Sequence, residues 1–307
     1  MTTTSAIPRV RRGPSPHERK LVFTAYALIT PFLVVFTAMV IAPLVYAGFL
    51  SLFQTRLIGG EQFVGLANFG KALTDPVFLA GVGRMSVFLL VQVPIMLGVA
   101  LFFALAIDSG RLAGSRFSRI AIFVPFAVPG VVATMMWGYL YGEDFGPIAQ
   151  SFRAIGLPAP ALLSDDLILF SMMNIVTWSF VGYNMIIMYA ALRVIPTELY
   201  EAAEIDGAGA IRVAWSIKVP AIRPAIMLTL IFSIIGSFQL FTEPTLLAAI
   251  APNVIGTSYT PNMYAYTLAF RFQDVNYAAA VAFILGFVIM IVSYLVQLSG
   301  RRAEARR

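Results

Sequence analysis

VGRMSVFLLVQVPIMLGVALFFALAI, residues 82–107, decides the fold. A helix crosses a hydrocarbon core about 30 Å thick with about 20 apolar residues, and this run passes that length with one charge, Arg84. Comparable runs lie on either side, at Leu21 to about Phe53, Arg119–Tyr141, Leu167–Leu192, Ala225–Ile250 and Ala278–Leu298. The expected fold is all-α: a polytopic membrane protein with six transmembrane helices over residues 21–298, flanked by basic tails at 1–20 and 299–307. Composition agrees, since 59% of residues are hydrophobic and only 12% charged. An ordinary soluble domain carries about a quarter charged, and this chain has too few charges to clothe a water-facing surface.

The net charge of +6 does not point to nucleic acid, because the basic residues are sorted by side. Six crossings put both termini on one side. Of the 21 Lys and Arg, five (Arg56, Lys71, Arg84, Arg153 and Arg271) fall on the opposite side and the remaining 16 on the side of the termini. The positive-inside rule then places both termini and the 193–224 loop in the cytoplasm. That is the arrangement of a multi-pass plasma-membrane protein, with lipid around its helices. The N-terminal tail reads as disordered, and the lone His17 within it as a solvated residue. The absence of cysteine excludes a disulfide framework and a thiolate metal site.

Pro31, Pro43, Pro94, Pro125, Pro129 and Pro244 lie within the spans. Each removes a backbone hydrogen bond, so a bent bundle is expected. Gly138 and Gly142, four apart, suit close helix contact.

Residues 196–224, PTELYEAAEIDGAGAIRVAWSIKVPAIRP, form the one long loop on the basic side. Thr197 can cap a helix whose first turns carry Glu198, Glu201 and Glu204, where carboxylates suit the positive end of the dipole. Gly207 offers a bend. Ile211, Ala214, Trp215 and Lys218 then recur at helical spacing, giving a second short helix a largely apolar face, and Pro220 and Pro224 end it. Such a projection suits either a protein partner or an amphipathic segment lying flat in the headgroup region.

The loop resembles the EAA motif of binding-protein-dependent ABC importer permeases, in the version of the carbohydrate-uptake type. The resemblance is carried by EAAEIDGA (Glu201, Ala202, Ala203, Asp206, Gly207 and Ala208 among its residues), preceded by PTELY and followed by Ile217, Val219 and Pro220. It extends to GLANF at Gly65–Phe69 and YTPNMYAYTLAF at Tyr259–Phe270. Two positions depart: the usual aromatic of the second motif helix falls on Ala214, with Trp215 one place later, and the usual leucine is Val219. The resemblance implies the type I ABC importer permease (MetI-like) fold. It also implies a coupling helix seated on cytoplasmic ATP-binding subunits, two per complex, a second homologous permease, and an extracytoplasmic solute-binding protein. The solute it implies is a carbohydrate of di- or oligosaccharide size, and ATP hydrolysis belongs to the partner, so this chain is not an enzyme and needs no cofactor.

The fourth and fifth helices border the substrate path in that family. Trp178, Tyr183 and Asn184 on the fourth and Ser237, Gln239 and Glu243 on the fifth are the candidates for it. Helix packing and interhelical hydrogen bonding are the alternative reading of these residues. For Glu243 the alternatives are a pairing with an arginine such as Arg84 or a place already at the membrane interface. No grouping of His, Cys and carboxylates suits catalysis or a metal. GLANFGKA at 65–72 matches a P-loop up to its lysine, but Ala72 replaces the hydroxyl residue and no strand is expected before it. A membrane scaffold docking a partner through the same loop, or a secondary transporter, are the competing functions. The inverted repeats and paired intramembrane charges that favour the latter are not evident.

Overall fold

The structure is a computed structural model that describes residues 16–56, 58–110 and 114–305. The chain divides after Leu50 into two units. The first is a long helix in three pieces: α1 (Pro16–Phe36), a π-helical turn (Thr37–Ile41) and α2 (Ala42–Ser51). The disordered tail expected at 1–20 therefore holds for no residue from Pro16 on, and its earlier part lies outside the described residues. Pro16 opens the helix because the first helical position needs no N–H. The apolar side chains of this helix are exposed along its length, which suits lipid as their solvent.

The second unit opens with a hairpin the sequence reading did not contain. β1 (Phe53–Arg56) pairs antiparallel with β2 (Gly60–Phe63), with Phe53 opposite Phe63. Gly59 and Gly60, at φ of 107° and 67°, take the positive angles that turn the chain back. The first span thus ends at Ser51, not Phe53, and a strand does precede the P-loop-like stretch. That stretch is still no P-loop, because Asn68 to Ala72 lie inside α3 (Ala67–Thr74) and not in an open loop.

The remaining elements are α4 (Pro76–Asp108), α5 (Ser115–Ala127), α6 (Gly130–Leu140), α7 (Pro147–Ala154), α8 (Ile168–Leu192), α9 (Glu198–Ile205) and α10 (Ala210–Val213). A second π-helical turn (Ala214–Lys218) runs into α11 (Val219–Ala221), followed by α12 (Arg223–Phe238), α13 (Thr242–Leu247) and α14 (Pro261–Tyr266). A third π-helical turn (Thr267–Arg271) precedes α15 (Val275–Ala305). Helix α15 overruns the tail expected from 299, as the Arg, Ala and Glu residues there are good helix formers. Among the described residues five helices are long and apolar enough to cross a membrane, and six if the bent pair α5–α6 counts as one span.

The prolines act in three ways. The third span is not one helix: α5 and α6 meet at 95°. Pro129 forces Val128 into an extended conformation (φ −76°, ψ 127°), as proline does to the residue before it. The fifth span breaks at Gln239–Phe241, between α12 and α13. Pro244 sits three to five residues later, and its ring would meet the carbonyl of Leu240, four residues back, if the helix ran through. Pro43 and Pro220, in contrast, each follow a π-helical turn that contains the residue four places earlier, and their helices continue. Pro220 therefore does not end the second loop helix. The break comes at Ile222, and Pro224 lies in the first turn of α12.

Two apolar cores divide the second unit by depth. One joins Phe78, Met85 and Phe88 of α4 to Ile168, Met172 and Ile175 of α8 and to Phe238, Leu247, Tyr277 and Val281. The other joins Val93, Met96, Ala100 and Ala104 of α4 to Met185, Met188 and Leu192 of α8 and to Ile222. Gly182 lets α8 meet α5 so closely that a Cβ there would overlap the backbone of Ile122 and Phe123. Gly138 lies under the side-chain ends of Leu247 and Ile250, not under a backbone, whereas Gly142 faces only its own turn.

Candidate functional site

Between the two cores lies a cavity of about 300 Å³. Its walls come from the middles of three spans: Phe88, Gln92 and Met96 of α4, Val176, Phe180, Tyr183 and Asn184 of α8, and Phe232, Ser233, Gly236 and Ser237 of α12. Gln92 is the midpoint of α4, a helix about 50 Å long at 1.5 Å per residue. The cavity thus sits near the middle of these spans.

The break between α12 and α13 closes one side, with Gln239, Leu240, Phe241, Thr242 and Glu243 on the cavity wall. Unwound backbone at this depth needs partners inside the protein. The N-cap and first turn of α14 supply them. Thr260 Oγ1 donates to the Leu240 carbonyl at 3.0 Å, and Asn262 Nδ2 donates to the Gln239 carbonyl at 3.1 Å. Asn184 Nδ2 donates to the Phe180 carbonyl and Ser237 Oγ to the Ser233 carbonyl, while Gln92 Nε2 reaches Thr177 Oγ1 at 3.2 Å. Tyr183 stacks on Phe126 with ring centroids 4.8 Å apart.

Five of the six residues singled out in the sequence, Tyr183, Asn184, Ser237, Gln239 and Glu243, line this one cavity. Trp178 does not; its ring packs edge-on against Trp137 at 5.8 Å. The pairing of Glu243 with Arg84 is not made either, because Arg84 donates to the Tyr259 carbonyl at 2.6 Å and lies over the Tyr259 ring. The sequence reading missed Gln92, whose signal was a lone amide in the middle of an apolar run.

The long loop carries the second candidate site. Helix α9 begins after Thr197, whose carbonyl accepts from Tyr200 and Glu201, and ends at Gly207 with φ 73°. Ala208 N–H closes back onto the Ala203 carbonyl at 2.9 Å, the six-to-one bond of a Schellman cap with glycine at its left-handed position. Glu201, Ala202, Asp206 and Gly207 are exposed, Ala208 is half-buried, and Ala203 is buried beneath them. Val194, Ile205, Ile211 and Trp215 stand out from the loop as large exposed apolar side chains.

Ile217 and Pro220 are half-buried, and Lys218 leaves the apolar stripe proposed for it. The π-helical turn rotates Lys218 inward, where its Nζ pairs with Asp108 Oδ2 at 2.5 Å, at the end of α4, and lies 4.8 Å from the Tyr200 ring centre. One lysine thereby ties both loop helices to α4. Burial and the Asp108 charge push the Tyr200 phenol above its ordinary pKa.

At the opposite end of the bundle, Asp75 caps α4 through Val77 N–H and accepts from Tyr264 Oη at 2.6 Å and Tyr277 Oη at 2.7 Å. Burial acts to raise the Asp75 pKa, but these hydrogen bonds together hold it below the usual carboxylate value. Burial and the bond to Asp75 push the Tyr264 phenol up to about 12. Asp75 thus joins α4, α14 and α15 at the mouth of the bundle.

A multi-span protein with a mid-span cavity whose largely apolar wall carries a few polar groups, a broken helix on that wall and a capped projecting loop belongs to the class of membrane transport components. Residues 96–305 match the family described as the binding-protein-dependent transport system inner membrane component, and the chain belongs to that family. The chain is 30% identical to the lactose transport system permease protein LacF of Rhizobium radiobacter, over 88% of this chain and 91% of that protein. It is 29% identical to the diacetylchitobiose uptake system permease protein NgcF of Streptomyces coelicolor, over 94% of this chain and 87% of that one. Its fold matches a chain of a bacterial alginate ABC transporter, solved with an alginate pentasaccharide-bound periplasmic protein, at a TM-score of 0.82. That match has 18% identity and covers 94% of this chain and 97% of the other.

Proposed function

We propose that the chain is one permease subunit of an ATP-driven, binding-protein-dependent importer for a sugar of di- or oligosaccharide size. The observation that carries this reading is the mid-span cavity, where Gln92, Tyr183, Asn184, Ser237, Gln239 and Glu243 meet at the break in the fifth span. Hydroxyl and amide groups beside aromatic rings suit a sugar, whose hydroxyls need hydrogen-bond partners and whose ring faces are apolar. The volume falls at the lower end of small-molecule sites, roughly 300–1,000 Å³. The relatives named for lactose and diacetylchitobiose support the solute class.

In this reading the 196–224 loop seats on one of two cytoplasmic ATP-binding subunits, with Glu201, Asp206, Gly207, Ala208 and Trp215 at the contact. A second homologous permease completes the path, an extracytoplasmic binding protein delivers the solute, and both termini lie in the cytoplasm. ATP binding and release by the partner favour different orientations of the permease pair, so the cavity opens to each side in turn. The Lys218–Asp108 pair transmits movement of the loop to α4, which forms one cavity wall.

The test is uptake of a panel of labelled mono-, di- and trisaccharides by cells expressing the complete system, with wild-type chain and with Gln239→Leu plus Glu243→Leu. Wild-type cells should accumulate one di- or oligosaccharide at least about tenfold faster than the double variant, the loss expected from about 1.4 kcal/mol of binding. Equal uptake by both would remove the cavity from the path, and accumulation of no carbohydrate would overturn the substrate class.

A further inference from the structure

A second cleft, of about 330 Å³, lies between α5 and α8, lined by Arg116, Arg119, Ile120, Phe123, Ile186 and Tyr189. One contact sets its position. The helices touch at Gly182 against Ile122 and Phe123. From there Ile186 and Tyr189 lie about one and two turns further along α8, and Arg119 and Arg116 about one and two turns back along α5. The cleft is therefore at the end of the bundle where α5 begins and α8 ends, the end that carries the 196–224 loop.

Arg119 is held in place without being neutralised. Its Nη1 donates to Tyr189 Oη at 3.4 Å, and its guanidinium lies 5.1 Å from the Tyr189 ring centre. Its Nε is buried with no hydrogen-bond partner. The one ion pair among the described residues is Lys218–Asp108, so neither Arg116 nor Arg119 is paired with a carboxylate there. The rest of the wall, Ile120, Phe123 and Ile186, is apolar and leads from the arginines into the spans.

We propose that this cleft binds the phosphate headgroup of an anionic phospholipid. Arginine presents a planar fork of donors suited to phosphate oxygens, and basic pockets between membrane helices are known headgroup sites. The lipid phosphate meets the half-exposed Arg119 guanidinium and the exposed Arg116 charge, and its acyl chains run along Ile120, Phe123 and Ile186. Free phosphate would share the polar contact but leave the apolar wall uncovered, which separates the two sources of the anion.

The test is native mass spectrometry of the full-length chain in detergent, with added phosphatidylglycerol, phosphatidylcholine or inorganic phosphate. The wild type should retain phosphatidylglycerol in preference to phosphatidylcholine, undisturbed by millimolar phosphate. Arg116→Gln and Arg119→Gln should each weaken that retention about five-fold. Arg119→Lys keeps the charge and loses the fork, and should retain less than wild type even if the glutamine variants fold poorly. Equal phosphatidylglycerol retention by wild type and Arg119→Lys, equal retention of the two lipids, or displacement by inorganic phosphate would overturn the proposal.

Discussion

Lys218 and Asp108 meet across 110 residues of sequence, with the Asp108 side chain 4% exposed. Removing one partner of such a pair strands the other charge, which costs about 3–5 kcal/mol. Lys218→Met is expected to destabilise the chain by that order, and Lys218→Met with Asp108→Leu to recover most of it. Thermal unfolding of the two single variants and the double variant in detergent measures the cycle. At the other end, Asp75 and Tyr264 define a pH window. The folded Asp75 pKa is below its ordinary 3.8, so its contribution is present above that pH and lost as pH falls through the folded value. The folded Tyr264 pKa is raised from 10.0 to about 12, so its contribution is present below pH 10 and lost as pH rises toward 12. Asp75→Asn should flatten the acid limb of the unfolding midpoint against pH, and an unchanged limb would contradict this account of the mouth. At this scale polarity was the legible signal. Tyr183, Asn184, Ser237, Gln239 and Glu243 stood out as polar groups in apolar runs, and they do share one cavity. Lys218 was misplaced because a 3.6-residue period was extended through a turn that is π-helical.

The elements explain why a bundle of long helices has a cavity at all. The break at Gln239–Phe241 keeps α12–α13 from running straight past the centre and puts Gln239 to Glu243 on the cavity wall, while the break at Val128–Pro129 bends the third span, no described residue of which lines the cavity. The sequence showed where the prolines were. It did not show which would break a span and which a π-helical turn would absorb, because that depends on whether neighbours can satisfy the freed backbone. Thr260 and Asn262 do so for the fifth span, from about 20 residues further on. The hairpin at 53–63 escaped notice because two four-residue strands carry little periodicity of their own beside a long apolar run. Close packing offers a direct test of the α5–α8 contact. Gly182→Val forces a side chain into the backbone of Ile122 and Phe123, and overpacking of this kind costs about 1–3 kcal/mol. A lowered unfolding midpoint is expected, with Gly236→Ala as the control, since a Cβ at Gly236 meets nothing within 4 Å. Equal effects of the two substitutions would contradict the packing described.

On the scale of the whole molecule, the spacing of apolar runs made the membrane fold legible, the family match over residues 96–305 agrees with it, and the six expected spans are reached among the described residues when the bent pair α5–α6 counts as one. The loop was legible for a different reason: its glycine and acidic first turn specify two short helices locally, whereas the Lys218–Asp108 tie to α4 is a tertiary contact that the sequence did not show. Solute identity was not legible, since the polar groups of the cavity are few and serve many hydroxylated ligands equally. Coupling is therefore the central proposal: the 196–224 loop converts a partner's ATP cycle into access to the cavity. Gly207 is its most sensitive point, because φ 73° strains any L side chain by about 1–2 kcal/mol and a bulky one would also alter the exposed docking surface. The deciding measurement is binding-protein-stimulated ATP hydrolysis by the complete importer reconstituted in liposomes, comparing the wild type with Gly207→Trp and Glu201→Lys. Both variants should insert and assemble as membrane proteins yet lose stimulated hydrolysis, and wild-type stimulation in either would contradict the coupling role of the loop.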